Sequence, residues 1–371
     1  MRADTLGIIF SNINDSLLPQ LTERRCLGSV PFGGRYRLID FALSNLADCG
    51  VSKVGVITKR NYHSLMEHLG SGKSWDLARK RGGLFLFPPF ASAGSGVYRD
   101  RIDALSGLSI FLEEAKEDYV ILCDCAHIFN ADLDKLVAKH ISKGADITIA
   151  CTRGKIPAAS SGTVAFTKVS EDGRAEEIKV LPKWEEGLFS VNLGIISRKL
   201  LLELLREAVS RNYTSISRDI LQGQVGTLKI YTAEIEGRVL CIDSMHSYFE
   251  ANMALLDRDV RRDLFFGNHR VGTLVMDANP ARYGIASSVK NSLVSDGCLI
   301  EGEVENCIIG RDVYVGRNSK LKNCVIMSNT QIGENVQLSF VTADKNVKMT
   351  GGITLTGSET YPVFIEKDAV V

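Results

Sequence analysis

A cluster of arginines near the start of the sequence has the residue types and spacing of an anion-binding site. Four arginines lie within fourteen residues, around the pair Gly33-Gly34; they are Arg24, Arg25, Arg35 and Arg37. The planar guanidinium group donates hydrogen bonds in a fork that matches the oxygens of a phosphate. The cluster therefore favours a phosphate-bearing ligand. Arginines that are solvated, or that bridge to a second domain, would give the same pattern, and the sequence leaves that alternative open.

Cysteine and histidine side chains also suggest metal chemistry at one point, where Cys123, Cys125 and His127 follow one another at every second residue. Zinc sites need a second group of ligands at a characteristic spacing, and neither the other cysteines nor the six histidines provide one. Because Cys123 and Cys125 end an apolar run, we interpret them as core thiols. We expect no bound metal and no cofactor in this chain.

The elements that would position these side chains alternate between strands and helices from residue 1 to about 255. Four apolar runs are typical of buried strands: 5–10, 52–58, 118–123 and 146–152. Helical patterns occur at 37–50, 63–69, 102–117 and 131–144. The alternation predicts an α/β domain with a mostly parallel sheet. Ligands of such sheets bind at the carboxyl ends of the strands, here just after Phe10, Thr58, Leu122 and Cys151.

A different pattern begins at about residue 284, where short aliphatic positions recur every six residues among Gly, Asn and Asp. Ile309, Val315 and Leu321 follow this step, and Ile326, Ile332 and Leu338 repeat it after a step of five. Hexapeptide periodicity predicts a parallel β-helix, with a mixed β-sandwich as the alternative. We therefore divide the chain into an α/β domain at 1–255, a charged connector at 256–283 and a β-helix domain at 284–371.

Composition excludes several classes of protein. The 371 residues include 45% hydrophobic and 24% charged residues, with 44 basic and 44 acidic side chains. A chain with this balance is globular, and it lacks the basic excess of a typical nucleic-acid binder. Nine cysteines without a regular framework favour a reducing compartment. No apolar run is long enough for a signal peptide or a membrane span, so we expect a cytoplasmic protein without a nucleic-acid or membrane partner.

Several longer segments resemble the glucose-1-phosphate adenylyltransferase family, which forms ADP-glucose from ATP and glucose 1-phosphate. The most specific is FGGRYRLIDFALSN at 32–45, and further matches occur at 54–69, 119–133, 180–184, 191–196 and 244–257. The resemblance covers essentially the whole chain. It implies a Rossmann-like nucleotidyltransferase domain, a left-handed β-helix and a tetramer. It also implies that Arg24, Arg25 and Arg37 belong to an effector site for a small phosphorylated metabolite or nucleotide.

The catalytic positions of that family are altered in this chain. Its glycine-rich phosphate loop, roughly GGxGxRL, corresponds to residues 12–18, which read NINDSLL. Leu17 occupies the position of the catalytic arginine, Leu27 that of the catalytic lysine, and Ala126 that of the first magnesium-binding aspartate. Asp124 lies two residues earlier and would replace it only if the backbone shifted. A branched side chain at a loop glycine opposes both positive φ angles and close approach of a phosphate.

Other positions of the family pocket are retained. Asp243 corresponds to the second metal carboxylate and Lys183 to the lysine that holds the sugar phosphate, while Gly162 and Gly194 match glycines that line the sugar pocket. Asp103 matches an aspartate of the family, although an acid at a helix N-terminus is also favoured by the helix dipole. These five residues define a residual sugar and nucleotide pocket.

We interpret the sequence as a regulatory, non-catalytic subunit of the adenylyltransferase in glycogen biosynthesis. It would modulate a catalytic paralogue, which carries the Mg²⁺, in a heterotetramer, and would form a homo-oligomer when alone. The alternative is a weakly active nucleotidyltransferase that uses Asp243, Lys183 and Asp124. A hexapeptide acyltransferase is disfavoured, because the last histidine, His269, precedes the repeats.

Overall fold

The computed structural model describes residues 3–89, 98, 100–156, 163–180 and 186–371. Its first domain is built on a central sheet. The strands of this domain, in chain order, are β1 Thr5–Phe10, β2 Pro31–Phe32, β3 Tyr36–Arg37, β4 Lys53–Ile57, β5 Gly83–Phe87, β6 Tyr119–Asp124, β7 His127–Ile128, β8 Ile147–Lys155, β9 Val164–Val169, β10 Ala175–Val180, β11 Glu186–Ser197, β12 Ile230–Glu234 and β13 Leu240–Cys241.

Helices pack against both faces of this sheet. They are α1 Pro19–Thr22, α2 Leu38–Asp48, α3 His63–Leu69, α4 Arg101–Ser106, α5 Ser109–Glu113, α6 Leu133–Ser142, α7 Arg198–Arg211, α8 Met245–Ala254 and α9 Arg258–Phe266, and a π-helical segment spans Ile216–Gln222. Within the described ranges, no helix combines the length and the apolar composition that crossing a bilayer requires.

Nine of the described strands form one mixed sheet, in the order β10-β9-β11-β6-β1-β4-β5, with β8 paired to β11 and β12 paired to β8. The neighbours β6, β1, β4 and β5 are parallel, whereas β11 runs antiparallel to β6 and β8. Phe10 pairs with both Asp124 and Ile57, so the carboxyl ends of β1, β4 and β6 meet at one edge. The loop after Phe10 therefore lies beside Asp124.

The predicted helices occur near their expected bounds, with two differences. The helix expected at 102–117 is divided into α4 and α5 around Gly107, and α4 begins where the Asp100 carboxylate accepts hydrogen bonds from the amides of its first turn. The segment 256–283, predicted as a connector of little periodicity, contains α9. Gly50 and Gly144 follow the last residues of α2 and α6 with φ angles of 76° and 52°, which glycine adopts without strain.

The second domain is a left-handed parallel β-helix, as the hexapeptide pattern predicts. Its short strands form three parallel sheets that wrap a common core. They are β14 Arg282–Tyr283, β15 Ser288–Lys290, β16 Leu293–Val294, β17 Leu299–Ile300, β18 Glu303–Glu305, β19 Ile308–Ile309, β20 Tyr314–Val315, β21 Lys320–Lys322, β22 Val325–Ile326, β23 Gln331–Ile332, β24 Gln337–Ser339, β25 Val341–Ala343, β26 Lys348–Met349, β27 Thr354–Thr356 and β28 Val363–Ile365.

Asparagines turn the corners of the β-helix. Asn329 and Asn346 occupy equivalent corners of successive coils, 17 residues apart, with φ angles of 61°, and the amide of Asn329 donates a hydrogen bond to Asn346 Oδ1. Asparagine tolerates this left-handed conformation better than most side chains do. The 17-residue step explains the sequence pattern, because two steps of six and one of five complete a coil.

The two domains are packed against each other along one side of the β-helix, which we call the seam. Ile308, Val325 and Met327 of the β-helix are buried in the same apolar cluster as the core of the first domain. The ring of Phe249 lies 6.4 Å from that of Phe340 across the seam. The seam therefore holds the N-terminal arginine cluster close to the coils of the second domain.

Candidate functional site

The loop after β1, which corresponds to the phosphate loop of the family, is held in place by hydrogen bonds that involve side chains. Asp15 begins a short 3₁₀ turn, and its Oδ1 accepts a hydrogen bond from the Leu27 amide at 2.7 Å. The Thr22 hydroxyl donates to the Asp15 carbonyl at 2.7 Å. Burial raises the pKa of Asp15 to about 7, although the Leu27 amide and Lys59 oppose this. The carboxyl group of Asp15 thus connects this loop to the 3₁₀ turn Leu27–Ser29.

Asp124 is the carboxylate that could replace the metal-binding aspartate missing at Ala126. Both of its oxygens accept hydrogen bonds from other groups of the chain. Its Oδ2 accepts hydrogen bonds from Asn14 Nδ2 at 2.8 Å and Arg101 Nη2 at 2.9 Å, and its Oδ1 accepts from the Ala126 amide at 3.1 Å. Burial raises the pKa of this group, but His127, Arg101 and the Ala126 amide outweigh burial and hold the pKa of Asp124 below its usual value. The carboxylate is therefore charged and already neutralised within the chain.

The three positions that correspond to lost catalytic groups lie around this network. Leu17 is half-buried in the 3₁₀ turn, Leu27 is buried in the main core, and Ala126 is buried behind the sheet edge. The Ala126 carbonyl accepts a hydrogen bond from the Ile242 amide at 2.7 Å. Asp243 follows Ile242 in the sequence and therefore lies close to Ala126. The fold thus brings the two metal positions together, but only one of them carries a carboxylate.

These residues do not fit the Mg²⁺ that the family implies. Magnesium is held by carboxylate oxygens, and Asp243 is half-buried with its Oδ1 accepting a hydrogen bond from Ser244 Oγ at 3.2 Å. Ala126 offers no oxygen in its side chain, and Asp124 is engaged by Asn14 and Arg101. Among the described residues, no group of three or more His, Cys, Asp or Glu side chains is placed to hold a metal ion.

Of the remaining residues of the predicted sugar pocket, the structure describes Asp103 and Gly194. Asp103 lies in the first turn of α4, where its amide donates to Asp100 Oδ1 at 3.3 Å. Gly194 lies in β11, paired with Leu122 of β6, and lines a cavity. Lys183 and Gly162 lie outside the described residues. The sugar and nucleotide pocket therefore stays a prediction.

Two of the three arginines predicted at the effector site bridge to the β-helix domain. Arg25 is buried and forms two hydrogen bonds with the Asp344 carboxylate, at 2.8 and 2.9 Å. Arg24 contacts Asp368 at 2.8 Å in an exposed ion pair. Arg37 instead donates to the carbonyl and the hydroxyl of Ser64. Arg24 and Arg25 therefore bridge to the second domain, which was the alternative to an effector site. The effector role of the cluster stays a prediction.

The structure adds Lys345 to this cluster. Burial and the neighbouring charges of Arg37 and Arg25 lower the pKa of Lys345 to about 7. Lys367 also lies close enough to lower it. We call Arg25, Arg37, Lys345 and Lys367 the seam cluster, because the charges of the other three all act on Lys345. Arg25 is paired with Asp344, and Lys367 lies 3.7 Å from Asp368. Nothing in the sequence marks Lys345, because only the fold brings it to Arg25.

Comparisons with known proteins agree with this architecture. A nucleotidyl transferase family model matches residues 16–216, and a model of the GlmU-like C-terminal hexapeptide matches residues 276–360. The chain is 35% identical over 371 residues to the glycogen biosynthesis protein GlgD of Bacillus subtilis strain 168, with 98% of this chain and 96% of the relative covered.

Two further relatives are similar over most of their length. The glycogen biosynthesis protein GlgD of Geobacillus stearothermophilus is 34% identical over 322 residues, covering 86% of this chain and 83% of that protein. The glucose-1-phosphate adenylyltransferase of Thermosipho melanesiensis is 32% identical over 323 residues, covering 86% of this chain and 78% of that enzyme. The chain therefore belongs to the glucose-1-phosphate adenylyltransferase family and, within it, to the group of the glycogen biosynthesis protein GlgD.

Proposed function

We propose that this chain acts in glycogen biosynthesis as a regulatory, non-catalytic subunit of glucose-1-phosphate adenylyltransferase. The observation that carries the proposal is the loss of the metal-binding carboxylate at Ala126. Asp124, which lies two residues earlier, is hydrogen-bonded to Asn14 and Arg101. The similarity to two glycogen biosynthesis proteins gives the pathway. Nine free cysteines, eight of them buried, favour a cytoplasmic location.

Nucleotidyl transfer depends on groups that neutralise charge in the transition state. Loss of one such electrostatic contact costs about 3–4 kcal/mol, or roughly 10²–10³ in rate. In this chain the arginine position is Leu17, the lysine position is Leu27 and the metal position is Ala126. Even with incomplete additivity, the three changes leave little turnover.

Regulation would pass through the seam cluster. Its excess of positive charge suits a phosphorylated metabolite, whose oxygens would contact Lys345, Arg37 and Lys367 while Asp344 holds Arg25. An anion bound there would contact both domains at once and favour one arrangement of the seam. In a heterotetramer with a catalytic paralogue, this preference would couple anion binding at the seam cluster to the paralogue's active site. Such a coupling free energy is typically about 1–3 kcal/mol.

The test measures ADP-glucose formation from ATP, glucose 1-phosphate and Mg²⁺, first by the purified chain alone. We expect no rate above background, and a rate within about a hundredfold of an ordinary turnover near 10 s⁻¹ would contradict the proposal. The chain is then titrated into its catalytic paralogue. We expect a mixed oligomer with altered kinetics or effector response, and unchanged kinetics together with an unchanged oligomeric state would also contradict it.

A further inference from the structure

Cys241 differs from the other cysteines of the chain in its exposure. Eight of the nine cysteines are buried, whereas Cys241 is half-buried at the end of β13. On its buried side it packs against a small apolar cluster of Ile156, Ala165 and Phe189. A reagent must reach the sulfur before a thiol can react, and the fold makes the sulfur of Cys241 the most accessible of the nine.

An imidazole ring lies beside this thiol. Strands β13 and β7 form a short antiparallel ladder in which Cys241 is directly opposite His127. Side chains in such a pair lie on the same face of the ladder, with their Cβ atoms about 4.5–5.5 Å apart. The Cys241 thiol hydrogen-bonds to the His127 ring, and the side chain of His127 has an exposed fraction of only 7%. An imidazole within hydrogen-bonding reach of a thiol can take up the thiol proton.

A carboxylate fixes the orientation of the imidazole ring. His127 Nδ1 lies 3.7 Å from Asp124 Oδ1, and the Asp124 carboxylate is itself held by Arg101 and Asn14. The order carboxylate, imidazole, thiol is that of an activated cysteine, in which a third group orients the base. In the described part of the chain no group of three His, Cys, Asp or Glu side chains is placed to hold a metal ion, so these three do not form a metal site.

We propose that Cys241 is a thiol-exchange site, at which a low-molecular-weight disulfide forms a mixed disulfide with the chain. His127 takes the proton of the Cys241 thiol, and the sulfur attacks one sulfur of the disulfide. The S–S bond of the reagent breaks as a new S–S bond joins its first half to Cys241. The second half leaves as a thiolate and takes up the proton from His127, so the disulfide is the only oxidant required.

The product of this exchange is reversible, because a free thiol attacks the mixed disulfide and releases Cys241 by the same route. Occupancy of the site would therefore follow the ratio of disulfide to thiol around the protein. This site does not depend on the regulatory role proposed above.

The first experiment incubates the full chain with hydroxyethyl disulfide, a small neutral reagent, and follows the adduct by mass spectrometry of the intact protein and of its peptides. We expect one adduct per chain, on Cys241. Cys241→Ser should abolish the adduct. The matched control is Cys49→Ser, which removes a buried thiol and should leave the adduct unchanged.

The second experiment measures the rate of adduct formation in His127→Gln, which should be slower than in the wild type by about tenfold or more. His246→Gln is the matched control, since His246 is exposed and paired with Glu250, and it should react as the wild type does. If His127→Gln does not fold, the wild type is compared with the same chain in urea. Cys241 should react faster in the folded chain, because only the fold brings His127 to it. An adduct on other cysteines in place of Cys241, an unchanged rate in a folded His127→Gln chain, or faster reaction of Cys241 in urea would overturn the proposal.

Discussion

The guanidinium of Arg25 and the carboxylate of Asp344 face each other across the seam, 319 residues apart in the sequence, and share two hydrogen bonds of 2.8 and 2.9 Å. Both side chains are almost completely buried, with exposed fractions of 4% and 2%. A buried pair of this kind stabilises little relative to apolar residues, but either partner alone is an uncompensated charge. The pair therefore fixes how the domains meet.

Asp344→Asn should destabilise the chain strongly, because Arg25 would stay charged and buried. We expect the free energy of unfolding to fall by about 3–5 kcal/mol, measured by urea denaturation. The matched control is Asp368→Asn, which breaks the exposed pair with Arg24 and should cost no more than about 1 kcal/mol. Equal losses in the two variants would show that the buried pair has no special role.

Asp15→Asn should remove a pH dependence of stability. Burial raises the pKa of Asp15 to about 7, whereas an unfolded chain releases this proton near pH 4. Between these values the folded state holds a proton that the unfolded state has lost, so the stabilisation present below pH 4 disappears as the pH rises through 7. Asparagine still accepts the hydrogen bond of the Leu27 amide.

The measurement is the free energy of unfolding of the wild type and of Asp15→Asn at pH 5 and pH 8. From pH 5 to pH 8 the free energy of unfolding of the wild type should fall relative to that of Asp15→Asn. A difference that stays constant with pH would mean that the Asp15 carboxyl titrates normally in the folded chain.

Lys345→Gln should weaken anion binding at the seam cluster. Burial, Arg37 and Arg25 lower the pKa of Lys345 to about 7, so its charge is present at pH 6 and largely absent at pH 8. Sulfate is a suitable probe because its own charge is constant in this range. We expect the wild type to bind sulfate more tightly at pH 6 than at pH 8.

At pH 6 the Lys345→Gln chain should bind sulfate about tenfold more weakly than the wild type, as expected for loss of one charged hydrogen bond. Its affinity should also vary less with pH. Lys348→Gln, on an exposed position of β26, is the matched control and should behave as the wild type does. An unchanged affinity in Lys345→Gln would place the anion elsewhere.

Restoring the three lost groups should restore activity only in part. Leu17→Arg, Leu27→Lys and Ala126→Asp together return the charges that nucleotidyl transfer requires, but the loop glycines stay absent. The backbone amide of residue 27 would also still donate its hydrogen bond to Asp15. We expect ADP-glucose formation above that of the wild-type chain and far below that of a catalytic relative. Full activity would show that the loop glycines are less important than their family role implies.

Much of the fold could be predicted because its signals are local. The apolar run Thr5–Phe10 is short and buried at every position, as is typical of a central strand in a parallel sheet. The β-helix repeats its signal in every coil. The division of the helix expected at 102–117 was missed, because Gly107 and Leu108 lie within an otherwise continuous apolar pattern.

The candidate site was predictable only where one residue type decides the chemistry. Ala126 lacks a carboxylate in any structure, and its proximity to Asp243 followed from the family resemblance. The engagement of Asp124 by Asn14 and Arg101 depends on contacts between segments far apart in sequence, with 110 residues separating Asn14 from Asp124. The same is true of Lys345, whose pKa is lowered by burial in the folded chain and by two arginines more than 300 positions away.

The hydrogen bond from the Leu27 amide to Asp15 has a mechanical consequence. Leu27 is two residues from Arg25, and Arg25 is fixed to Asp344, so the loop after β1 and the β-helix are tied to the same short length of backbone. A displacement of the β-helix would therefore act on that loop through Arg25 and the two residues that follow it. The short backbone from Arg25 to Leu27 is thus a mechanical link between the loop after β1 and the second domain.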